Sequence, residues 1–83
     1  METIIDVKPL ENYHIWVLFA DHFNATIDIG PFINRGLSAK LQEPDYFKQV
    51  KIDDFGGITW ENGFDFCPNY LRELIEIQTD KSK

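Results

Sequence analysis

The sequence predicts one α+β domain: an antiparallel sheet of meander and hairpin strands, short helical turns in the middle, and a C-terminal helix packed on one face. Three patterns predict it. Apolar and polar residues alternate in the first third of the chain, an Asn-Gly dipeptide separates two short apolar runs, and apolar residues recur at helical spacing near the end. We assign residues 1–77 to the domain and residues 78–83 to a frayed tail.

The first third of the chain has the pattern of a three-stranded antiparallel meander. Residues 3–8 are rich in β-branched and apolar side chains, and Pro9 ends this run. Residues 14–19, HIWVLF, are apolar on both faces, which predicts a central strand that is covered on two sides. Residues 23–29 alternate apolar and polar side chains up to Gly30, as a half-buried strand does.

The middle of the chain is irregular. Residues 32–46 follow neither the helical nor the strand period, so we expect short helical turns at residues 38–41 and 44–48. Residues 50–52 resume the alternation of a strand, and the sequence DFGG at residues 54–57 predicts a turn after it.

The last third predicts a hairpin followed by a helix. Residues 58–60 and 64–66 flank Asn62-Gly63, a pair typical of the two-residue type I′ turn, in which both central residues have positive φ. After Pro68, apolar side chains recur at the spacing of one helix face: Tyr70, Leu71, Leu74, Ile75 and Ile77. One amphipathic helix therefore closes the domain against the sheet.

Composition limits the function classes. Fourteen acidic and eight basic residues give a net charge of −6, and the basic residues are scattered, which argues against direct nucleic-acid binding. An acidic surface suits a basic protein partner or a cation, and it also serves solubility. A single cysteine cannot form an internal disulfide, and no signal peptide or membrane anchor is visible, so we expect a cytoplasmic protein.

Three segments carry a family resemblance: ENYHIWVLFADHF, LQEPDYFKQVKID and GGITWENGFDFCPNYL. Over residues 5–74 the chain resembles the bacterial domain-of-unknown-function family 2442. In that family a hairpin precedes the C-terminal helix, and the matching positions here are Trp60, Asn62, Gly63 and Asp65. The chain departs from the family at Glu61, where proline is frequent, and at Phe64, where a small residue is frequent.

The resemblance implies an α+β fold and no established activity. Some members of the family carry an additional helix-turn-helix domain, and their genes often neighbour that of a second small protein, which has prompted toxin-antitoxin proposals. The resemblance therefore favours a binding function over a catalytic one.

The hairpin and the residues after it hold most of the candidate site residues. Trp60 and Asn62 are explained by packing and by the turn, while Glu61 lies at the hairpin tip. Asp65 points away from the face of its phenylalanine neighbours, either to solvent or to turn amides. Cys67 precedes Pro68 and is a candidate helix N-cap with thiolate character; the alternative is a small buried residue.

Outside the hairpin, Arg35 is a basic residue in an irregular loop, where it could meet an anionic ligand or partner, although a salt bridge is the commoner outcome. His14 and His22 lack the spacing of metal ligands. We therefore expect no metal and no cofactor.

The leading hypothesis is a small interaction or regulatory module, antitoxin-like, that binds a protein partner or a second copy of itself through a sheet edge and an acidic surface. We expect no membrane binding. One alternative is a small-ligand sensing domain that accompanies a transcriptional regulator. A weaker alternative is an enzyme that uses Cys67 or Asp65.

Overall fold

A computed structural model describes residues 2–33 and 36–80. It confirms the α+β class: two three-stranded antiparallel sheets and a C-terminal helix. The first sheet, in the order β1-β2-β3, consists of β1 (Ile4–Pro9), β2 (His14–Phe19) and β3 (Asn24–Asp28). The second, in the order β4-β5-β6, consists of β4 (Lys51–Ile52), β5 (Ile58–Thr59) and β6 (Asp65–Phe66).

Short helical turns connect the strands, as the irregular middle of the sequence predicts. They are the 3₁₀ turns Glu11–Tyr13, Gly30–Phe32 and Gly36–Gln42 and the one-turn helix α1 (Pro44–Phe47). The long helix α2 (Pro68–Asp80) packs against β3. It continues beyond residue 77, where we expected the tail to begin; residues 81–83 lie outside the described residues.

Strand β2 is central in the first sheet, but only one of its faces is covered. Ile15, Val17 and Phe19 point into the core and have no exposed surface. On the opposite face Trp16 and Leu18 are half-buried among the side chains of the neighbouring strands. The prediction that β2 is covered on both sides is therefore wrong, because side chains within the same sheet provide the shielding of the second apolar row.

The core is built around a connected series of aromatic rings. Ring contacts with centroid distances from 5.4 to 6.3 Å run in the order Tyr13, Phe47, Trp60, Phe66 and Tyr70. Trp60 is 1% exposed, and its Nε1–H donates a hydrogen bond to the Phe47 carbonyl at 3.0 Å. The indole therefore joins the end of α1 to the β5–β6 hairpin without leaving a buried donor unpaired.

The β5–β6 hairpin exists as predicted, but its turn is of another type. The Trp60 N–H donates to the Phe64 carbonyl and the Gly63 N–H donates to the Trp60 carbonyl, each at 2.9 Å, which leaves three residues in the loop. Only Gly63 has a positive φ, +92°, and Asn62 does not. This is the pattern of a three-residue loop with glycine in the left-handed position, so the type I′ prediction is wrong.

The same loop pattern closes two more hairpins. In the β2–β3 and β4–β5 hairpins, the residue before the three-residue loop again forms one backbone hydrogen bond with the third loop residue and another with the residue after the loop. The third loop residues are His22, with φ +74°, and Gly56, with φ +83°. His22 is a non-glycine residue in a position that favours glycine, so it stores backbone strain.

Gly57 allows two chain segments to cross closely beside β5. A Cβ atom on Gly57 would lie 2.3 Å from the Phe66 carbonyl oxygen and 3.2 Å from the Cys67 Cα. Both contacts are with backbone atoms, which cannot rotate away. The start of α2 is therefore positioned by a residue without a side chain.

We expect Gly57→Ala to lower the free energy of unfolding by about 2–3 kcal/mol, because the added methyl group displaces the β6 backbone. Gly63→Ala is the matched control: its Cβ would meet nothing within 4 Å. The control has only the strain of a positive φ and should cost about 1 kcal/mol. Urea unfolding measures both. Equal costs for the two variants would contradict the close approach at Gly57.

We expect His22→Gly to raise the free energy of unfolding by about 0.5–1 kcal/mol, because glycine relieves the left-handed strain at the cost of a more flexible unfolded chain. Chemical denaturation measures the gain. His22→Ala serves as the control, since alanine at φ +74° retains the strain and should give no gain.

Candidate functional site

The structure explains Trp60 and Asn62 of the hairpin by packing and hydrogen bonding within the fold. Trp60 lies in the core and offers no surface to a partner. The Asn62 N–H donates to the Tyr46 hydroxyl at 2.7 Å, and the Asn62 Oδ1 accepts a hydrogen bond from the Phe64 N–H at 3.1 Å. Both residues hold the hairpin against α1 and stabilise its loop.

Glu61 and Asp65 are the exposed acidic residues of the hairpin. The Glu61 carboxylate lies 3.7 Å from Lys51 Nζ, in a pair whose side chains are both mostly solvent-exposed and which therefore contributes little to stability. Within the described residues, no group donates a hydrogen bond to the Asp65 carboxylate, which faces solvent. These two residues contribute negative charge to the surface.

Cys67 caps helix α2. Its Sγ accepts a hydrogen bond from the Tyr70 N–H at 3.3 Å, and its carbonyl accepts one from the Leu71 N–H at 3.1 Å. The thiol is exposed, so the capping interpretation holds and the alternative of a buried small residue is wrong. This capping hydrogen bond explains a sulfur atom at this position without a catalytic role.

The remaining candidates from the sequence are Arg35, His14 and His22. Arg35 lies outside the described residues. His14 Nδ1 is 2.9 Å from the Asn12 carbonyl oxygen, while His22 lies in the β2–β3 loop. Within residues 2–33 and 36–80, no cluster of His, Cys, Asp or Glu side chains could hold a metal ion. In the same part of the chain, no helix is long and apolar enough to cross a membrane.

The interaction that shapes the edge of β3 was not predicted from the sequence. The Asp28 N–H donates to the Gln78 Oε1 at 3.0 Å, and the Gln78 Nε2 donates to the Asp28 carbonyl at 3.1 Å. The Gln78 carboxamide thus occupies the place that a peptide group of a further strand would occupy. No local sequence signal identifies this contact, since it joins residues 50 positions apart.

Further along β3 the edge is open. The Ile29 N–H donates to the Tyr13 carbonyl, and the Phe19 N–H donates to the Phe23 carbonyl. These two bonds determine which residue pairs between β2 and β3 are hydrogen-bonded and which are not. The ladder therefore turns the backbone N–H and C=O groups of Asn24 and Thr26 away from β2. Both residues are exposed. Their backbone polar groups form the outer edge of the first sheet.

The opposite edge, on β1, is closed. The Ile4 N–H donates to the Gly56 carbonyl at 2.8 Å, and the Val7 N–H donates to the neighbouring Asp6 Oδ1 at 2.9 Å. Pro9 has no N–H, and the register of β1 shifts between Ile4 and Asp6. Along this edge the N–H groups of Ile4 and Val7 are therefore already bonded, and Pro9 has none to offer.

An aromatic surface lies next to the open edge. Trp16 is opposite Thr26 in the β2–β3 register, and its Nε1–H donates to the Asn24 Oδ1 at 3.3 Å. The Lys8 ammonium lies 5.4 Å from the Trp16 ring centroid. The outer face of the sheet thus places an indole ring beside the exposed backbone of β3.

Arg72 joins helix α2 to the β2–β3 hairpin. Its guanidinium lies 4.0 Å from the centroid of the Phe23 ring, 3.3 Å from the Asp21 carboxylate and 3.0 Å from the Glu2 carboxylate. The Phe23 N–H, which donates to Asp21 Oδ1, and the Arg72 charge lower the pKa of Asp21 below 3.8, and desolvation opposes this effect.

The fold and these surfaces define a small α+β protein with one closed and one open sheet edge. A family model described as Protein of unknown function (DUF2442) matches residues 4–76. The match spans most of the 83 residues, so the chain belongs to that family, as the resemblance predicted. No curated protein and no solved structure matches the chain.

The ionisation of Asp21 gives a pH-dependent prediction. Because the folded-state pKa is below 3.8, the contribution of the carboxylate to stability is present above that pH and is lost as the pH falls through the folded-state pKa. Asp21→Asn keeps an oxygen for the Phe23 N–H and removes the charge. We expect the difference in unfolding free energy between the parent protein and Asp21→Asn to be constant near neutral pH and to shrink below pH 3.8. Urea titrations over a pH series measure it, and a difference that persists into strong acid would contradict it.

Proposed function

We propose that this protein is an interaction module that pairs the open edge of β3 with an extended segment of a protein partner. The observation that carries the proposal is the difference between the two edges of the first sheet. Addition of a strand to an exposed edge is a recurring mode of peptide recognition, in which main-chain hydrogen bonds provide the affinity.

The β1 edge is unsuited to this function. The N–H groups of Ile4 and Val7 are bonded to Gly56 and Asp6, Pro9 contributes no donor, and the register shift interrupts the strand. Proteins close their sheet edges in these ways to prevent unwanted pairing. A partner strand therefore has a single side of the first sheet available, the side of β3.

The β3 edge offers a short and well-bounded docking segment. Gln78 closes the edge at Asp28, so pairing is limited to the stretch around Asn24 and Thr26. A strand added there would also place alternate side chains beside the Trp16 ring, which lies across from Thr26. Backbone pairing and one aromatic contact supply both affinity and selectivity.

Charge favours a basic partner. The chain carries a net charge of −6, and helix α2, which packs against β3, exposes Glu73 and Glu76. Within the described residues, neither glutamate has an ionic partner. A lysine- or arginine-containing strand would gain from these carboxylates, whereas a second copy of this acidic chain would be repelled at the same edge.

We infer a regulatory, antitoxin-like role for such capture, in which the partner is a small basic protein encoded beside this chain. The single cysteine suits a reducing compartment, which favours the cytoplasm. An adjacent gene that encodes no small basic protein would remove the support for the antitoxin-like role and leave the interaction module.

Thr26→Pro is the test of the edge. The Thr26 N–H points outward, so proline removes a donor that the folded chain does not use, and we expect a loss of about 1 kcal/mol in stability with the fold retained. We expect binding of the adjacent gene product, measured by co-purification and calorimetry, to fall at least about tenfold because a main-chain bond is lost and the ring clashes with the added strand.

Ala25→Pro is the matched control, because Ala25 is paired with Val17 and its N–H points into the ladder. It should cost about 3 kcal/mol or more and unfold the hairpin. Full binding by a folded Thr26→Pro variant would refute the edge hypothesis. A concentration-dependent dimer that Thr26→Pro disrupts would instead indicate a second copy of the chain as the partner.

A further inference from the structure

A groove lies between the β1–β2 loop and helix α1, away from the β3 edge. Its volume is about 400 Å³, within the range of roughly 300–1,000 Å³ that is usual for small-ligand sites. The lining combines residues from two segments: Leu10, Glu11, Asn12, Tyr13, Pro44, Phe47 and Lys48.

The floor of the groove is apolar. The Tyr13 and Phe47 rings meet edge to face at a centroid distance of 5.4 Å, and Leu10 is 42% exposed beside them. The exposed leucine would lose contact with water if an apolar group entered the groove. The floor therefore favours a ligand with an aliphatic or aromatic side chain.

The charged lining residues are Glu11 and Lys48, and both lack an ionic partner within the described residues. Lys48 differs in this respect from the other described lysine and arginine side chains, each of which either forms a salt bridge or lies over an aromatic ring. Lys40, Lys51 and Arg72 form salt bridges, and Lys8 lies over the Trp16 ring. Two opposite charges thus face one groove, more than 4.0 Å apart, without pairing with each other.

The backbone of the groove wall is strained and fixed. Asn12 and Tyr13 are consecutive left-handed residues with φ +58° and +61°. The Tyr13 hydroxyl donates to the Gln42 carbonyl, and the Ile29 N–H donates to the Tyr13 carbonyl at 2.9 Å. Such strain persists only where the surroundings determine it, and it is concentrated at ligand-binding positions.

We propose that this groove binds a free apolar α-amino acid. The ligand's side chain lies on the Leu10, Tyr13 and Phe47 floor, its carboxylate meets Lys48, and its ammonium group meets Glu11. The zwitterion supplies a counter-ion for each of these two side chains, whereas a purely apolar ligand would supply neither. The site is separate from the β3 edge and does not depend on it.

The first experiment uses L-leucine as the probe in an NMR titration of the full chain. We expect a Kd on the order of 1 mM, since the ligand is small and its ion pairs are exposed to solvent. The shift changes should be confined to the backbone amides of residues 10–13 and 44–48, omitting Pro44. Absence of saturable shifts up to about 20 mM would overturn the proposal.

The second experiment separates the two charges. L-leucinamide lacks the carboxylate and N-acetyl-L-leucine lacks the ammonium group, so each should bind about two- to fivefold more weakly than L-leucine. Lys48→Gln should weaken L-leucine by the same factor and leave L-leucinamide unchanged. Glu11→Gln should weaken L-leucine and leave N-acetyl-L-leucine unchanged.

Lys8→Gln and Glu73→Gln are the matched charge controls, since both residues lie outside the groove lining. Neither control should change the affinity for L-leucine. Equal affinity for the three ligands, or equal losses in the groove variants and the controls, would contradict recognition of a zwitterion by Glu11 and Lys48.

Discussion

The buried indole of Trp60 is the contact on which the rest of the structure depends. Its N–H must find an acceptor, because an unpaired buried donor costs about 1–3 kcal/mol, and the acceptor is the Phe47 carbonyl at the end of α1. This bond fixes α1 against the β5–β6 hairpin. Phe47 also meets the Tyr13 ring, so the same contact sets the distance between the second sheet and the β1–β2 loop. The wall and floor of the groove beside α1 are consequences of it.

Local patterns predicted the elements but not every detail of their geometry. Runs of β-branched and apolar residues predicted β1 and β2, alternation predicted β3 and helical spacing predicted α2, because each pattern is complete within a few residues. The Asn62-Gly63 dipeptide is compatible with a two-residue and with a three-residue loop. The loop has three residues because the Trp60 N–H bonds the Phe64 carbonyl. This pairing is set by how the two strands pack their aromatic side chains into the core, which the dipeptide alone does not show. The second apolar row of β2, Trp16 and Leu18, also had two explanations from the sequence alone: cover by another layer of structure, or shielding by side chains of the same sheet. The structure shows the second.

The binding surfaces were less accessible to sequence analysis than the fold. Most of the candidate residues drawn from the sequence lie within or beside one hairpin, where neighbouring residues can be judged together, and the structure explains Trp60, Asn62 and Cys67 by packing and capping. The surfaces that the structure does offer join distant segments. Gln78 meets Asp28 across 50 positions, and the groove combines the β1–β2 loop with α1. Neither juxtaposition has a local signature.

The contrast between the two edges of the first sheet is the basis of the proposed strand pairing. A chain that only had to avoid aggregation would gain from closing both edges, and β1 has the means: a register shift, a side-chain acceptor and a proline. On β3 the Gln78 amide closes one end and leaves the remainder exposed. An edge that is open over a short stretch limits the length of any added strand, which also disfavours indefinite self-association.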